Sequence, residues 1–279
     1  MEYKVLVDSC GELTEEMKES GIFTSVPLSI LVENYHIVDD ESFNQGEFIK
    51  IAKESKECPR SACPSPEQYM DLFKGEEKRV YVVTLSSNLS GSYNSANLAK
   101  QMYEEEDGEK EIHIFDSNSA SVGETLIALK IRECEERGLD FAALVEAVES
   151  YIEEQHTYFV LEDLDTLRKN GRLTGIKLLV ASALNIKPIL GSTPEGTIQQ
   201  LGQGRGINKA LQGMVKKIIP EIKNSSSKIL AISHCNCKER ALQVKEMILK
   251  LTKVKEVIIL DTRGISTMYA SNGGIIVVI

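Results

Sequence analysis

The sequence predicts an α/β fold, and three observations lead to this class. In the first half, short continuous apolar runs alternate with helical patterns, which is typical of a parallel sheet with helices on both faces. The second half continues to alternate strand and helix patterns. A length of 279 residues suits two modest domains or one large one, because domains of roughly 100–200 residues are common. We divide the chain near residue 154, into domains 1–154 and 155–279.

The first half contains three apolar runs that read as buried strands, at 3–9, 79–86 and 111–117. Each is followed by a helical pattern: the segment 13–21, which Gly21 ends, the segment from about Tyr93 to Glu104, and the segment from about Gly123 to Arg137, which Gly138 ends. A further helix is predicted over 140–154 and leads into the second half. These elements predict a mainly parallel first sheet flanked by helices.

The segment 24–76 interrupts this alternation. It holds three prolines within the eight residues 59–66, so we predict a loop in extended conformation there and no regular element. A helix should follow over 65–73, because Ser65 is a good N-cap residue and Pro66 suits the first helical position.

The second half reads as a series of shorter elements. The patterns predict strand 157–163, helix 164–170, turn 171–175, helix 176–184, short strand 187–192, a Gly/Gln-rich turn over 195–206, and helix 207–222, bent or ended near Pro220. They then predict strand 227–234, helix 237–251, strand 255–262 and a last apolar run over 273–279.

The composition excludes several classes of protein. A net charge of −10 argues against nucleic-acid binding and against adsorption to an anionic membrane. Six cysteines are too few for a disulfide framework in a chain of this size. The N-terminus enters a strand at once, without the pattern of a secretory signal, and no run approaches the ~18 apolar residues of a membrane span. We therefore expect a cytoplasmic protein without stable membrane insertion.

Small polar residues follow all three strands of the first half, in "VDS", "TLSS" and "FDS". In an open parallel sheet the carboxyl ends of the strands form the ligand crevice. The densest group is "LSSNLSGSY" at a helix start, where free N–H groups favour an anion. We take Ser86, Ser87, Ser90 and Gly91 as ligand-binding candidates. From these residues alone the turn could be an anion cradle, a nucleophile site or a helix cap.

Catalytic and cofactor motifs are absent. No G-x-S-x-G elbow surrounds Ser90, and four histidines offer few partners for a serine nucleophile. The "HCNC" stretch lacks the second pair that zinc sites usually have, and neither G-x-G-x-x-G nor a P-loop occurs. We therefore predict no catalytic residue, no metal and no cofactor. The basic turn "RKNGRLTG" is more suggestive, because Arg172 lies beyond the helix that it follows.

Motifs along the whole chain resemble the DegV family, which includes the fatty-acid-binding subunits of bacterial fatty acid kinase. They occur in the family's order and spacing: "VDSCGELTEE", "VPLSI", "SACPSPEQY", "LSSNLSGSYNSA", "FDSNSAS", "LRKNGRLTG", "KPIL" and "SNGGIIVV". The resemblance implies two α/β domains with a long-chain fatty acid in the cleft between them. It also implies that Ser61 and Ser90 meet the carboxylate and that Arg172 serves presentation of the ligand to a kinase.

The sequence departs from the family pattern at two places. The family's Thr-Ser-Gln-Pro loop reads "SACP" here, so Ser61 keeps a hydroxyl. The family's C-terminal histidine falls on Tyr269, which can donate a hydrogen bond but is neutral at pH 7. The interpretation is a lipid-binding protein that is not an enzyme and that hands its ligand to a fatty acid kinase. The alternative is an enzyme acting on a small anionic substrate in the same cleft.

Overall fold

The computed structural model describes residues 2–106, 108–173 and 185–279. Its strands are β1 (Tyr3–Asp8), β2 (Phe23–Val26), β3 (Ser29–Val32), β4 (Tyr35–Val38), β5 (Arg60–Ala62), β6 (Arg79–Thr84), β7 (Glu111–Asp116), β8 (Thr157–Val160), β9 (Ile186–Ser192), β10 (Ile198–Arg205), β11 (Ile229–His234), β12 (Glu256–Asp261) and β13 (Ile275–Val278). Its helices are α1 (Glu15–Glu19), α2 (Gln45–Glu54), α3 (Pro66–Phe73), α4 (Ser92–Glu105), α5 (Val122–Glu136), α6 (Phe141–Glu154), α7 (Asp165–Lys169), α8 (Ile207–Glu221), α9 (Lys238–Leu249) and α10 (Gly264–Ala270).

The first sheet has four strands in the order β2-β1-β6-β7, all parallel. Its central strands are apolar on both faces because helices cover both. Helices α5 and α6 pack on one face, around Tyr81 and Phe115, and α3 and α4 pack on the other, around Val80 and Val82. The predicted parallel sheet flanked by helices is thus confirmed.

The second sheet has six strands in the order β10-β9-β8-β13-β11-β12. Only β11 and β12 pair in parallel; the other neighbours are antiparallel. Helices α8 and α9 cover one face. On the opposite face, α5 of the first half packs against β11 and β13 through Val122 and Leu126. The predicted α/β class with a second sheet is confirmed, and the boundary near residue 154 remains a prediction.

A small antiparallel sheet, in the order β4-β3-β5, corrects the prediction that the stretch 59–66 holds no regular element, because β5 lies within it. Strands β3 and β4 were not predicted. The prolines at 59 and 64 flank the three-residue β5 and do not interrupt it. This sheet packs against α2 and α10 through Ile30, Phe48 and Met268. The helix after the prolines is as predicted, because Ser65 forms a complete capping box with Gln68.

The segment predicted as a Gly/Gln-rich turn over 195–206 is also corrected, because most of it is strand β10. Its glycines allow a close contact with α8: a Cβ atom on Gly204 would lie 2.3 Å from the backbone nitrogen of Ala210. The predicted helix over 176–184 lies outside the described residues. Among the residues that are described, no helix is both long and apolar enough to cross a bilayer.

Candidate functional site

The carboxyl edge of the first sheet gathers the polar residues that follow its strands. The Asp8 carboxylate accepts hydrogen bonds from the backbone N–H groups of Cys10 at 3.1 Å and Leu85 at 2.9 Å. The Asp116 carboxylate accepts one from the N–H group of Ser87 at 3.0 Å. These two carboxylates therefore hold the start of the serine-rich turn, whose last residues lead into α4.

The hydroxyls of this turn have different partners. Ser86 is buried and donates to the carbonyl of Gly196 at 2.9 Å, so it ties the turn to the loop between β9 and β10. The Ser90 hydroxyl lies 3.1 Å from that of Ser92 and accepts from the Ser92 N–H group. Gly91, at the N-cap position of α4, offers no capping side chain. Ser90 therefore serves part of the cap that Gly91 cannot supply.

Gly91 is also where a second loop approaches. A Cβ atom at this position would lie 3.0 Å from the Sγ atom of Cys63, one residue beyond β5. The chain at the end of β5, which carries Ser61, and the turn that carries Ser90 are therefore close together.

Three of the predicted residues meet at one place. In β5, Ser61 pairs with Ile30, whose side chain is buried beneath the small sheet. The Ser61 hydroxyl lies 3.0 Å from the phenolic oxygen of Tyr269, and the guanidinium carbon of Arg172 lies 5.7 Å from the centre of the Tyr269 ring. Arg172 also donates to the carbonyl of Leu89 at 3.0 Å, which links this group to the serine-rich turn.

Helix α10 brings Tyr269 to this place, and the sequence pattern did not predict it. The buried carboxylate of Asp39, just after β4, accepts from the N–H groups of Gly264 at 2.8 Å and Ile265 at 2.9 Å. A Cβ atom on Gly264 would lie 2.3 Å from the Asp39 carboxyl carbon, so only glycine permits this approach. The small sheet therefore holds α10 twice, at its start through Asp39 and near its end through Ser61.

An apolar cavity lies between the two sheets and, with its opening, encloses about 750 Å³ of empty space. The side chains of its walls are mainly aliphatic and aromatic: Leu85, Leu89, Phe159, Leu161, Leu167, Ile198, Ile265 and Ile276. Arg172 and Tyr269 line it, and Arg172 is the one charged side chain among the described lining residues. The other predicted site residues are not among the described lining residues: Ser61, Ser86, Ser87, Ser90 and Gly91. Ser61 contacts the lining residue Tyr269, and Ser90 follows the lining residue Leu89 in sequence.

The protonation state of this polar end follows from its burial. Burial raises the pKa of the Tyr269 hydroxyl, and the Ser61 hydrogen bond and the Arg172 charge offset part of the increase. Tyr269 is therefore a neutral hydrogen-bond donor at pH 7, beside a permanent cation. This arrangement can bind a carboxylate at the end of an apolar chain.

A group of buried carboxyls lies behind one wall and was not predicted as a group. Ser121, which lines the cavity, donates to Glu12 at 2.7 Å, and Thr125 donates to the Glu12 carbonyl at 2.6 Å. Burial raises the pKa of Asp8 to about 6 and that of Glu12 to about 7. Burial and the neighbouring Asp8 charge also raise the pKa of Glu124. The helical pattern of 123–137 gave no sign that Glu124, in the first turn of α5, is buried.

The histidines do not form a catalytic pair with the cavity hydroxyls. His113 contacts Glu149 at 3.1 Å, and His234 contacts Asp261 at 3.2 Å. His36 is exposed on β4. None of the four histidines is among the described residues that line the cavity, so no serine there has an imidazole base.

The amino-acid sequence matches a family model and a related protein along almost its whole length. The model of the DegV family, described as an uncharacterised protein family, matches residues 2–279. A DegV domain-containing protein of Streptococcus pneumoniae is 33% identical over 279 residues, covering 99% of this chain and 98% of the relative.

Solved structures of the same family are similar throughout. A DegV family protein of Ruminococcus gnavus, described with vaccenic acid, is 58% identical, with a TM-score of 0.98 and 100% coverage of both chains. The fatty acid kinase (Fak) B3 protein of Streptococcus pneumoniae, loaded with linoleic acid, is 32% identical, with a TM-score of 0.88 over 100% of this chain and 99% of that one. Because the family model spans residues 2–279, this chain belongs to the DegV family.

Proposed function

We propose that this protein binds a long-chain fatty acid in the apolar cavity, with the carboxylate at Arg172, Tyr269 and Ser61. The observation that carries the proposal is a cavity with mainly apolar walls, in which Arg172 is the one charged side chain among the described lining residues. Each buried methylene contributes about 0.8 kcal/mol, so the chain supplies most of the affinity and the polar end fixes its direction. The relatives loaded with vaccenic and linoleic acids support this assignment.

The same geometry favours a binding protein over an enzyme. A small anionic substrate would leave the aliphatic walls in contact with water, and the cavity hydroxyls have no imidazole base. We assign no catalytic residue. Arg172, Tyr269, Ser61 and Ser90 are binding residues in this proposal, whereas Ser86, Ser87 and Gly91 shape the turn.

The binding test uses a fluorescent fatty acid and its displacement by palmitic acid, palmitic acid methyl ester and hexadecanol. We expect the acid to compete best, because the two neutral analogues lack the charge that faces Arg172. Arg172→Ala should weaken binding of the acid by about 10- to 100-fold, the range for a lost hydrogen bond to a charged group.

Arg168→Ala is the matched control, since Arg168 is exposed and pairs with Asp165 outside the cavity. Equal affinity for the acid and the alcohol, or equal losses in the two variants, would reject the placement of the carboxylate. Failure to bind any of the three would reject the fatty-acid function.

The proposal extends to a kinase that phosphorylates the bound carboxylate. The similarity to the Fak B3 protein supports it. This chain has Tyr269 at the proposed carboxylate site, at the position where the family has a histidine. Purified fatty acid kinase with loaded protein should yield acyl phosphate, measured as hydroxamate after trapping with hydroxylamine. A chain that binds fatty acid and gives no product with an active kinase would separate the two parts of the proposal.

A further inference from the structure

A second cavity lies beside the apolar one, and its chemistry is different. With its opening, this cavity encloses about 1540 Å³ of empty space. Its lining includes Gln155, His156, Gln199, Lys217 and Glu221 beside apolar side chains such as Ile152 and Leu201, so it is more polar than the first cavity and holds more charged groups.

Only a thin wall separates the two cavities. Asn118, Thr157 and Ser192 line both of them. The Thr157 hydroxyl lies 2.6 Å from that of Ser119, and the Thr157 N–H group donates to the Ser192 hydroxyl at 3.4 Å. These bonds join β8, β9 and the loop that follows β7. Together the three segments form one partition of small polar side chains.

Strand β8 shows where this partition lies along the first cavity. Thr157 and Phe159, which are alternate residues of β8, and Leu161, directly after the strand, all line the cavity. Leu161 is at the end near Tyr269, because a Cβ atom on Gly274 would lie within 3.0 Å of both the Leu161 side chain and the carbonyl of Ala270 in α10. Extended chain rises about 3.3 Å per residue, so Thr157 lies about 13 Å from Leu161.

We propose that Asn118, Thr157 and Ser192 set the longest acyl chain that the protein accepts, by closing the far end of the cavity. This inference rests on the proposed function, with the carboxylate at Arg172 and Tyr269. A chain that extends from there along β8 meets the partition after the aliphatic side chains end. Further methylenes must then displace these side chains or enter the polar cavity, so they no longer add affinity.

Two substitutions change the partition in opposite directions. Asn118 has φ 47°, a left-handed conformation that glycine adopts without strain, so Asn118→Gly removes a wall side chain and keeps the backbone. Ser192→Leu adds an apolar side chain to the wall and shortens the cavity. Asn224→Gly, at φ 51° and outside both cavities, is the matched control for the glycine substitution.

The experiment measures dissociation constants for saturated fatty acids from lauric to behenic acid by displacement of one fluorescent probe. For the unchanged protein we expect affinity to rise by about fourfold per methylene up to one length and then to fall. Asn118→Gly should move the maximum to a longer acid and improve binding of the next longer acids by tenfold or more. Ser192→Leu should move the maximum to a shorter acid, and Asn224→Gly should leave it in place.

The outcomes separate this inference from the proposed function. If no acid displaces the probe, the fatty-acid function fails. If the acids bind but Asn118→Gly and the unchanged protein share one length profile, the partition is not the limit and the inference is overturned. Thermal unfolding of each variant identifies a folding defect, and Asn118→Gly decides the question alone if Ser192→Leu does not fold.

Discussion

One wall of the apolar cavity is a face of the six-stranded sheet, and the opposite wall is made of loops at the edge of the four-stranded sheet. The sheet wall presents Phe159 and Ile276 from neighbouring strands, and Leu161 directly after β8. The loop wall presents Cys10 and Ser121, behind which the carboxyls of Asp8, Glu12 and Glu124 are buried. The sheet wall therefore depends on packing alone, whereas the loop wall also depends on protonation.

The largest expected effect tests the sheet wall. Phe159→Ala should lower the free energy of unfolding by about 3–5 kcal/mol, the usual cost of removing a buried aromatic ring. Because no carboxyl of the buried group lies in this wall, the loss should be the same at pH 5 and pH 8. Urea unfolding at both pH values measures it. If the loss differed by more than about 1 kcal/mol between the two pH values, Phe159 would be energetically coupled to the buried carboxyls, and the two walls would not be independent.

The next effect tests the loop wall through Glu12. Burial raises its pKa from 4.5 to about 7. Below pH 4.5 the folded and unfolded chains both hold the proton. As the pH rises from 4.5 towards 7, Glu12 loses its proton in the unfolded chain and keeps it in the folded protein, so the free energy of unfolding falls. Relative to the unchanged protein, Glu12→Gln should therefore gain about 3 kcal/mol across this window.

Glu15 provides a control of opposite sign for that experiment. It is exposed, and the hydrogen bond from Lys18 lowers its pKa. Glu15→Gln should therefore lose a little stability, relative to the unchanged protein, as the pH rises through the range below 4.5. If the Glu12 and Glu15 variants followed parallel curves, the carboxyls behind the loop wall would not titrate as buried groups.

A smaller effect is expected where the two walls meet the polar end. Tyr269→Phe should weaken fatty-acid binding by about 5- to 30-fold, less than Arg172→Ala, because it removes one neutral hydrogen-bond donor and leaves the charge of Arg172 in place. The Tyr269 hydroxyl keeps its proton between pH 6 and 8, because burial raises its already high pKa, so Tyr269→Phe should not change how affinity depends on pH in this range. Tyr269→His should introduce tighter binding at the lower pH, since a protonated imidazole attracts the carboxylate. Unchanged affinity in Tyr269→Phe would mean that the hydroxyl serves only Ser61.

The smallest effect concerns Ser90. Its hydroxyl accepts from the N–H group of Ser92, so Ser90→Ala should cost about 1 kcal/mol of stability, as other helix caps do. If Ser90 also meets the carboxylate, affinity should fall as well. Thermal unfolding and ligand displacement on the same sample distinguish the two roles. A fall in stability with unchanged affinity would leave Ser90 as a cap alone.

The parallel sheet was predictable because its strands are continuous apolar runs with helices between them. The sequence signal of α2 was available, since Asn44 caps a segment with one apolar side. We predicted no helix there, because the alternation of strand and helix patterns breaks down between residues 24 and 76. Strand β10 was misread as a turn because its glycines mark close packing against α8, a tertiary cause that local pattern cannot show.

The candidate site was only partly predictable for a similar reason. Family resemblance pointed to Ser61, Arg172 and Tyr269, which the structure brings together. Nothing local in "GISTMYA" favours the helix that carries Tyr269, because its start depends on Asp39, 225 residues earlier in the chain. The burial of Glu12 and Glu124 likewise arises from packing between segments that are far apart in sequence.

The double attachment of α10 has a consequence for the order of events during synthesis. The Asp39–Gly264 and Ser61–Tyr269 bonds join residues 225 and 208 positions apart. Contacts of such separation form late, since the intervening chain must first be ordered. On a translating ribosome the polar end of the cavity therefore stays unfinished until residue 269 has emerged. Ligand loading then requires that residue 269 has emerged, and a nascent chain halted before residue 264 exposes the Asp39 carboxylate without its two donors.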